Sequence, residues 1–493
     1  MATAVVEERQ LIKSLRWWDG LAIAMCNPGF LFGSLGFTFG VFGVLGAMIM
    51  WGVSAIIGWI LTWIYVEPAS MFPNMSGGIS LYANEAWRKY TTFVGPIATF
   101  GYWIGWSVVL SIFGKIIGDL ITARWFPTST PWFSIGNVHF GLPHAIAIGT
   151  IFAVWLFNVF GIRPFKGLTY VTGGLLTIVL IVFMFVPYFT GDWHSSNVHA
   201  TFTGPWSGWK LIFVWIFILG WSSWAAEVCA TFAPEYKTRR DTTVALRTSA
   251  IYIVGVFILV PLGLGGVTGV PPTATQEGEF YSSALQTIAG KPFGTFLLIC
   301  LIASLILSMS SSTADGSRAL YGISKAGLTI KGLGKLNRWN VPGNAMTVDL
   351  VVNVALVCFI SSNLAILYMS NIGYILCHFL AVSGFLLLRK DRPNWPRPIR
   401  IGPIWTPIAA FMAVFVLFVL IVGAGAPHLN GYGTWTDFAI GVGVLIGSVL
   451  LFIFRRVVQD KEPVHFREEV PTMPTEADGF AAGETRAGAG TPV

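Results

Sequence analysis

The sequence predicts an all-α, polytopic membrane protein with about 12 transmembrane helices. Three observations predict it. Hydrophobic residues make up 54% of the 493 and charged residues only 11%, outside the balance of soluble domains. Apolar runs of about 20 residues, each enough to cross a hydrocarbon core of about 30 Å, recur along the chain. The basic residues segregate: with the N-terminus placed in the cytoplasm, only Lys115, Arg124, Lys210 and Lys291 of the 30 lysines and arginines fall on the outward side. That segregation calls for an even number of helices with both termini cytoplasmic. The net charge of +7 is then an orientation signal, and no nucleic-acid partner is expected. Cys26, Cys229, Cys300, Cys358 and Cys377 all lie in apolar runs, where a thiol is a small buried hydrophobe, so no disulfide or metal framework is implied.

The opening "MATAVVEERQLIKSLRWWDG" mixes charges without the short apolar core and cleavage site of a signal peptide, so the first helix is expected to stay. The expected spans are 18–39, 42–65, 94–122, 143–161, 169–189, 209–232, 244–267, 293–314, 346–360, 365–388, 403–425 and 436–454. The connection near "FISSNLAIL" is the shortest. After Arg456 the chain turns polar and rich in Gly, Ala and Thr, which reads as a disordered tail dispensable for transport.

Two of these helices are interrupted. Helix 1 carries "AMCNPGFLFGSLG", with Asn27, Pro28 and Gly29 near its midpoint; helix 6 carries "LGWSSW", 219–224, near its own. The breaks are five helices apart, an odd number, so a second set of five would be inverted relative to the first. Paired Gly- or Pro-interrupted helices in two inverted halves point to a transporter site. Freed backbone groups there face a cavity, and half-helix ends bind carboxylates or amines. A single break also reads as a kink or packing residue. It is the matched depth of the two that favours function.

Ionisable residues inside membrane spans are costly and ask for a role. Glu227 lies seven residues past Gly220, about two turns below the break, as a proton relay or a structural ion pair. His378, near the middle of helix 10, reads first as a hydrogen-bonded core histidine and second as a pH sensor. Lys115 and Asp119 are spaced to neutralise each other, and Asp315 and Arg318 read in the same way as gate or interface residues. Ser308, Ser311 and Ser312, in "SMSSSTA", offer hydroxyls opposite the helix 1 break, a place for sodium, although membrane hydroxyls commonly bond to backbone. Proton, sodium and plain exchange all stay open as couplings, and no cofactor is expected.

Four segments resemble the amino acid–polyamine–organocation superfamily of secondary transporters. They are "YVEPASMFPNMSGGISLYA" after helix 2, "GPIATFGYWIGW" opening helix 3, "GWSSWAAEVCATFAPEYKTRRDTTVALR" through helix 6, and "SSSTADGSRALYGISKAGL" ending helix 8. The third holds Glu235, Lys237 and Arg240 in the places of that family's acidic and basic signature. The resemblance runs in order through helices 1 to 10, with helices 11 and 12 matched by hydropathy alone.

The resemblance implies two inverted five-helix repeats plus two peripheral helices. The chain then divides into a tail 1–16, repeats 17–190 and 205–390, helices 11 and 12 within 400–456, and a tail 457–493. It also implies alternating access around helices 1, 3, 6, 8 and 10. Asn27, Pro28, Gly29 and Phe30 occupy the family's small-residue turn that binds a substrate carboxylate, but Pro28 has no N–H to give. Gly220, Trp221, Ser222 and Ser223 match the unwound part of helix 6 that faces a substrate ammonium, with Trp221 or Trp224 as a lid or cation–π partner. Trp106 matches a site-facing position of helix 3. The lysine that replaces sodium in helix 5 of some relatives has no counterpart in "GGLLTIVLIVF".

The expected function is a symporter or antiporter in the plasma membrane, importing or exchanging an amino acid or related small amine. Its partners are that small molecule and the lipid bilayer, and it acts as a monomer or a homodimer. Two alternatives stay open: a nutrient sensor of the same fold that does not transport, and a carrier for an amine lacking a carboxylate. A channel would show filter-like rings of carbonyls or charges. An enzyme would show an ordered catalytic set, and no motif orders His378, Glu227 and Cys229.

Overall fold

The computed structural model describes residues 10–201, 208–272, 276–426, 433–471 and 491–492. Helix 1 is built from three pieces: α1 (Trp17–Ala24), α2 (Asn27–Phe32) and the first turns of α3 (Leu35–Met71). Within α3, Gly43 at φ +69° turns the chain from helix 1 into helix 2. Glycine is required there because a Cβ would stand 2.6 Å from the His199 carbonyl oxygen. The segment around His199 closes the corner, with Thr201 N–H donating to the Phe42 carbonyl at 2.7 Å and Leu45 N–H to that of His199 at 3.1 Å.

The short α4 (Gly78–Trp87) leads to helix 3, formed by α5 (Val94–Ser107) and α6 (Val109–Trp125). A hairpin of β1 (Phe133–Ile135) and β2 (Val138–Phe140), antiparallel, joins it to α7 (Leu142–Val159) and α8 (Ile162–Phe185), followed by the single turn α9 (Pro187–Thr190). Helix 6 comprises α10 (Trp209–Ser223) and α11 (Val228–Thr231), and helix 7 is α12 (Arg239–Thr268). In α13 (Glu277–Lys325), Gly290 at φ +72° separates a short lead helix from helix 8. Then come α14 (Gly343–Phe359), α15 (Asn363–Asp391), α16 (Trp405–Ala424) and α17 (Trp435–Phe454).

Among the described residues, ten helices are long and apolar enough to cross a membrane, and Gly343–Phe359 is a shorter apolar one. With the broken helix 1, every expected span has its helix. Their interior faces form one continuous apolar core, while large apolar side chains such as Ile181, Val351, Phe411, Val414 and Ile421 stay exposed on the outer faces of the peripheral helices. Burial inside and hydrocarbon outside is the pattern a lipid-solvated bundle needs. The two short helices, α4 after helix 2 and the lead of α13 after helix 7, hold the same place in each set of five.

Several boundaries differ from expectation. Helix 8 runs to Lys325, well past 314, and helix 5 starts at Ile162 rather than 169. The tail also differs. Residues 1–9 of the N-terminal tail and 472–490 and 493 of the C-terminal one lie outside the described residues, but the tail's first part is ordered against the bundle. Glu468 bridges Arg88 at 2.5 Å and Arg456 at 3.0 Å, and Asp460 pairs with both Arg455 and Lys331. Thr92 donates to the Phe466 carbonyl through its backbone and to that of His465 through its hydroxyl, and the Phe93 and Phe466 rings meet edge-on. Composition alone misses this because Arg88, Thr92 and Lys331 lie far away in sequence, just after α4 and after α13.

Candidate functional site

The interruptions of helices 1 and 6 face each other. In helix 1 the helical pattern stops at Met25 and Cys26, so Asn27, Pro28 and Gly29 form the first turn of α2 rather than the unwound stretch itself. Proline is tolerated in a first turn, where its missing N–H has no intrahelical partner to lose. In helix 6 the correction is larger. Gly220, Trp221, Ser222 and Ser223 are the last turn of α10, and the unwound stretch is Trp224 to Glu227, a tight turn before α11. Glu227 therefore stands in the break, not two turns below it.

Side chains satisfy the backbone freed at both breaks. The Asn27 amide donates across the junction to the carbonyls of Ala24 at 3.0 Å and Ala225 at 3.2 Å. Ser308 Oγ donates to the Cys26 carbonyl at 2.7 Å, and Ser222 Oγ to that of Phe30 at 3.2 Å. Helices 1 and 8 approach so closely here that a Cβ on Gly29 would stand 2.1 Å from Ser308 Oγ. The Gly29 N–H bonds to the Cys26 carbonyl at 3.0 Å. With Pro28 donorless and Gly29 engaged, the expected carboxylate cradle offers little in this conformation.

Above the breaks lies an aromatic cluster. The Phe30 ring packs 5.0 Å from Trp221 and 5.4 Å from Trp106, and Trp221 Nε1 donates to the Gly105 carbonyl at 2.7 Å. Trp224 meets His378 edge-on at 5.5 Å.

At and below the breaks is a polar cluster, wholly buried. Glu227 Oε1 accepts from the Tyr374 hydroxyl at 2.7 Å and lies 4.0 Å from His378 Nε2; His378 Nδ1 bonds Tyr65 at 2.9 Å. Glu227 and His378, read separately from sequence, are thus brought together by helices 6 and 10. The Tyr102 hydroxyl spans Thr231 Oγ1 and Asp315 Oδ1, each at 3.1 Å. Glu227 Oε2, Asp315 Oδ2, Ser311 Oγ and Ser312 Oγ make no well-formed hydrogen bond among the described residues, with Trp106 and the Val228 N–H close to Glu227, Thr231 close to Asp315 and Cys26 close to Ser311. Buried oxygens of this kind are costly unless a donor or cation meets them.

The ion pairing differs from the sequence reading. Arg318 does not pair with Asp315: its Nε and Nη2 grip both carboxylate oxygens of Glu235, and its guanidinium lies 4.5 Å from the centre of the Phe232 ring. Arg318 and Glu235 are each 1% exposed. Backbone N–H groups of Ser14 and Leu15 bond to the Glu235 carbonyl, both at 2.9 Å, so the N-terminal segment holds this pair shut. Beyond it a cavity of about 550 Å³, lined by Lys13, Asn74, Ser76, Pro234 and Tyr321, opens at that end of the bundle. Lys115 Nζ, at the opposite end, donates to the carbonyls of Ile360 and Ser361 at 3.1 and 2.6 Å, closing the end of α14; with Asp119 it lines a second cavity of about 590 Å³. The breaks lie between the two cavities and line neither.

Tyr102, Tyr374 and Tyr65 were not singled out in the sequence. A signal existed for two of them: Tyr102 is one turn before Trp106, and Tyr374 one turn before His378, each on the same helix face.

The chain matches the family described as "Amino acid permease" over residues 15–449. It is 23% identical to the amino-acid permease RocE of Bacillus subtilis over 67% of this chain and 68% of that one. It is 24% identical to the branched-chain amino acid permease BcaP of Lactococcus lactis, over 49% and 50%. The arginine/ornithine antiporter of Pseudomonas aeruginosa is 24% identical over 61% of each. The chain thus spans about half to two thirds of the length of these relatives.

Proposed function

The chain belongs to the amino acid permease family, a family of membrane transporters rather than enzymes, and from that premise we propose that it is a secondary active transporter working by alternating access. It imports or exchanges an amino acid or a related small amine across the plasma membrane, with both termini cytoplasmic. The observation that carries the reading is the junction of the two breaks, where Glu227 is buried with the Tyr374 hydroxyl at 2.7 Å and the Trp106 side chain near it, and Trp106 in turn packs with Phe30 and Trp221. Such a carboxylate takes a substrate ammonium or a proton; the rings take the apolar part.

Relatives are named for basic, branched-chain and small amino acids, so names alone do not choose among these. The donorless Pro28 and the engaged Gly29 N–H favour a second reading, an amine without a carboxylate. Proton coupling is favoured over sodium because the ionisable group at the junction is the buried Glu227, with the Tyr374 hydroxyl at 2.7 Å and His378 Nε2 at 4.0 Å. The test is an uptake screen in proteoliposomes over amino acids and their decarboxylated amines, at two pH values, with and without sodium. Saturable, sodium-independent uptake stimulated by an outside-acid pH gradient is the expected result. Uptake that needs sodium overturns the coupling; a preference for decarboxylated amines selects the second reading.

A further inference from the structure

We propose that Asp315 is a second proton-carrying residue of the transport cycle, and that Arg318 displaces its proton by exchanging Glu235 for Asp315 when the inner gate opens. The inference rests on the transporter reading above. It starts from a charge count. Between the breaks and the cavity beside Pro234 the structure buries Asp315, Arg318 and Glu235, and Arg318 gives Nε and Nη2 to Glu235 and Nη1 to the Ala314 carbonyl, none to Asp315. Asp315 is met by hydroxyls alone, Tyr102 donating to Oδ1 at 3.1 Å with Thr231 beside it, and no cation bonds to Oδ2 among the described residues. As an anion it would leave a buried net negative charge; as a neutral acid it does not. In the proposal its proton is carried on Oδ2, the oxygen that Tyr102 does not reach.

The groups around it supply no alternative cation. Helix 3 presents Tyr102, helix 6 presents Glu227, Cys229 and Thr231, helix 1 presents Cys26, and helix 10 presents Tyr374. Asp349 of α14, itself held by Trp103 Nε1 at 2.6 Å, adds a further carboxyl group on the far side. Among the described residues Arg318 is the basic group that acts on it, three residues along the same helix and therefore on the same face.

Opening toward the cavity must separate Glu235, on the strap after helix 6, from Arg318 on helix 8. The carboxylate then reaches water, but the guanidinium stem stays between helices. Rotating toward Asp315, one turn back, gives it a new carboxylate partner, and the Oδ2 proton leaves to water at the inner end. The number of bonds to hydrogen balances: one O–H is lost at Asp315 and one proton is gained by solvent. Among these three groups the buried charge balances in both states, with Arg318 and Glu235 opposing when closed and Arg318 and Asp315 opposing when open. Gate opening and proton release become one event.

The test uses the full chain in proteoliposomes with a mixture of radiolabelled L-arginine, L-leucine and glycine as probe. It compares accumulation driven by a pH gradient with counterflow, which needs no gradient. In Asp315→Asn, a permanent mimic of the protonated state, accumulation is expected to fall at least tenfold, to the level without a gradient, with counterflow within about twofold of wild type. Asp315→Glu is expected to restore accumulation. Accumulation retained in Asp315→Asn overturns the proposal, and so does loss of both activities that Asp315→Glu fails to recover. Wild-type counterflow without gradient-driven accumulation sinks the proposal and leaves the transporter reading standing; wild-type failure of both counts against the transporter reading itself.

Discussion

At the scale of single residues, Glu227 is where sequence and structure meet most closely and where the sequence reading needed the largest adjustment. An acidic residue in an apolar run marks itself, so its importance was legible. Its place was not: spacing from Gly220 puts it two turns below the break, whereas the unwinding begins at Trp224 and makes Glu227 part of the junction. What decides this is the Asn27 amide reaching the Ala225 carbonyl, a contact between residues 198 apart that no periodicity reports. With Tyr374 donating to one oxygen and His378 Nε2 at 4.0 Å, Glu227→Gln is expected to remove the stimulation of uptake by external acid, leaving a flat rate between pH 5 and 8. Tyr374→Phe removes only the donor and is expected to lower uptake severalfold while keeping its pH dependence. Both are read in a pH series of initial rates. The Arg318–Glu235 pair sets a different expectation. Removing one member of a buried pair strands the other charge at a cost of about 3–5 kcal/mol, so Glu235→Ala should lower the melting temperature sharply, and Arg318→Met paired with Glu235→Leu should recover most of it.

At the scale of elements, the helices were legible from hydropathy because a bilayer demands about 20 apolar residues per crossing. All twelve expected spans have helices, and the breaks in helices 1 and 6 are real, displaced by one to a few residues. Other features had no local signature. Helix 8 continues to Lys325 because its polar last turns are buried against neighbours, with Ser76 Oγ donating to the Arg318 carbonyl at 3.1 Å. The ordered start of the tail depends on Glu468 finding Arg88 and Arg456. A truncation after Val470 is therefore expected to preserve stability and uptake, while one after Asp460 removes Glu468, Phe466 and Val464 together and should lower the thermal midpoint by several degrees. Close packing at the junction supplies a further test. A Cβ at Gly58 would lie 2.2 Å from the Ser223 carbonyl oxygen, against the helix 6 break, whereas at Gly40 it meets nothing within 4 Å. Gly58→Leu is expected to abolish uptake by forcing helices 2 and 6 apart, and Gly40→Ala to leave it within twofold, at matched protein levels.

At the scale of the whole molecule, two cavities of similar size open at opposite ends, and the breaks lie sealed between them. Aromatic packing of Phe30, Trp106 and Trp221 closes one side; the Arg318–Glu235 pair and the N-terminal segment close the other. A site reachable from neither side is a geometry that alternating access passes through at one point of its cycle. Family membership was legible in the order of four motifs, yet substrate choice was not, because it depends on side chains that converge only in the folded bundle. The central claim is that this closed junction opens alternately to the two sides. Substrate-driven counterflow in proteoliposomes measures that directly: unlabelled amino acid trapped inside should accelerate entry of the labelled one several-fold. Saturable binding of the same amino acid to the purified protein, with no counterflow at any pH, would contradict it.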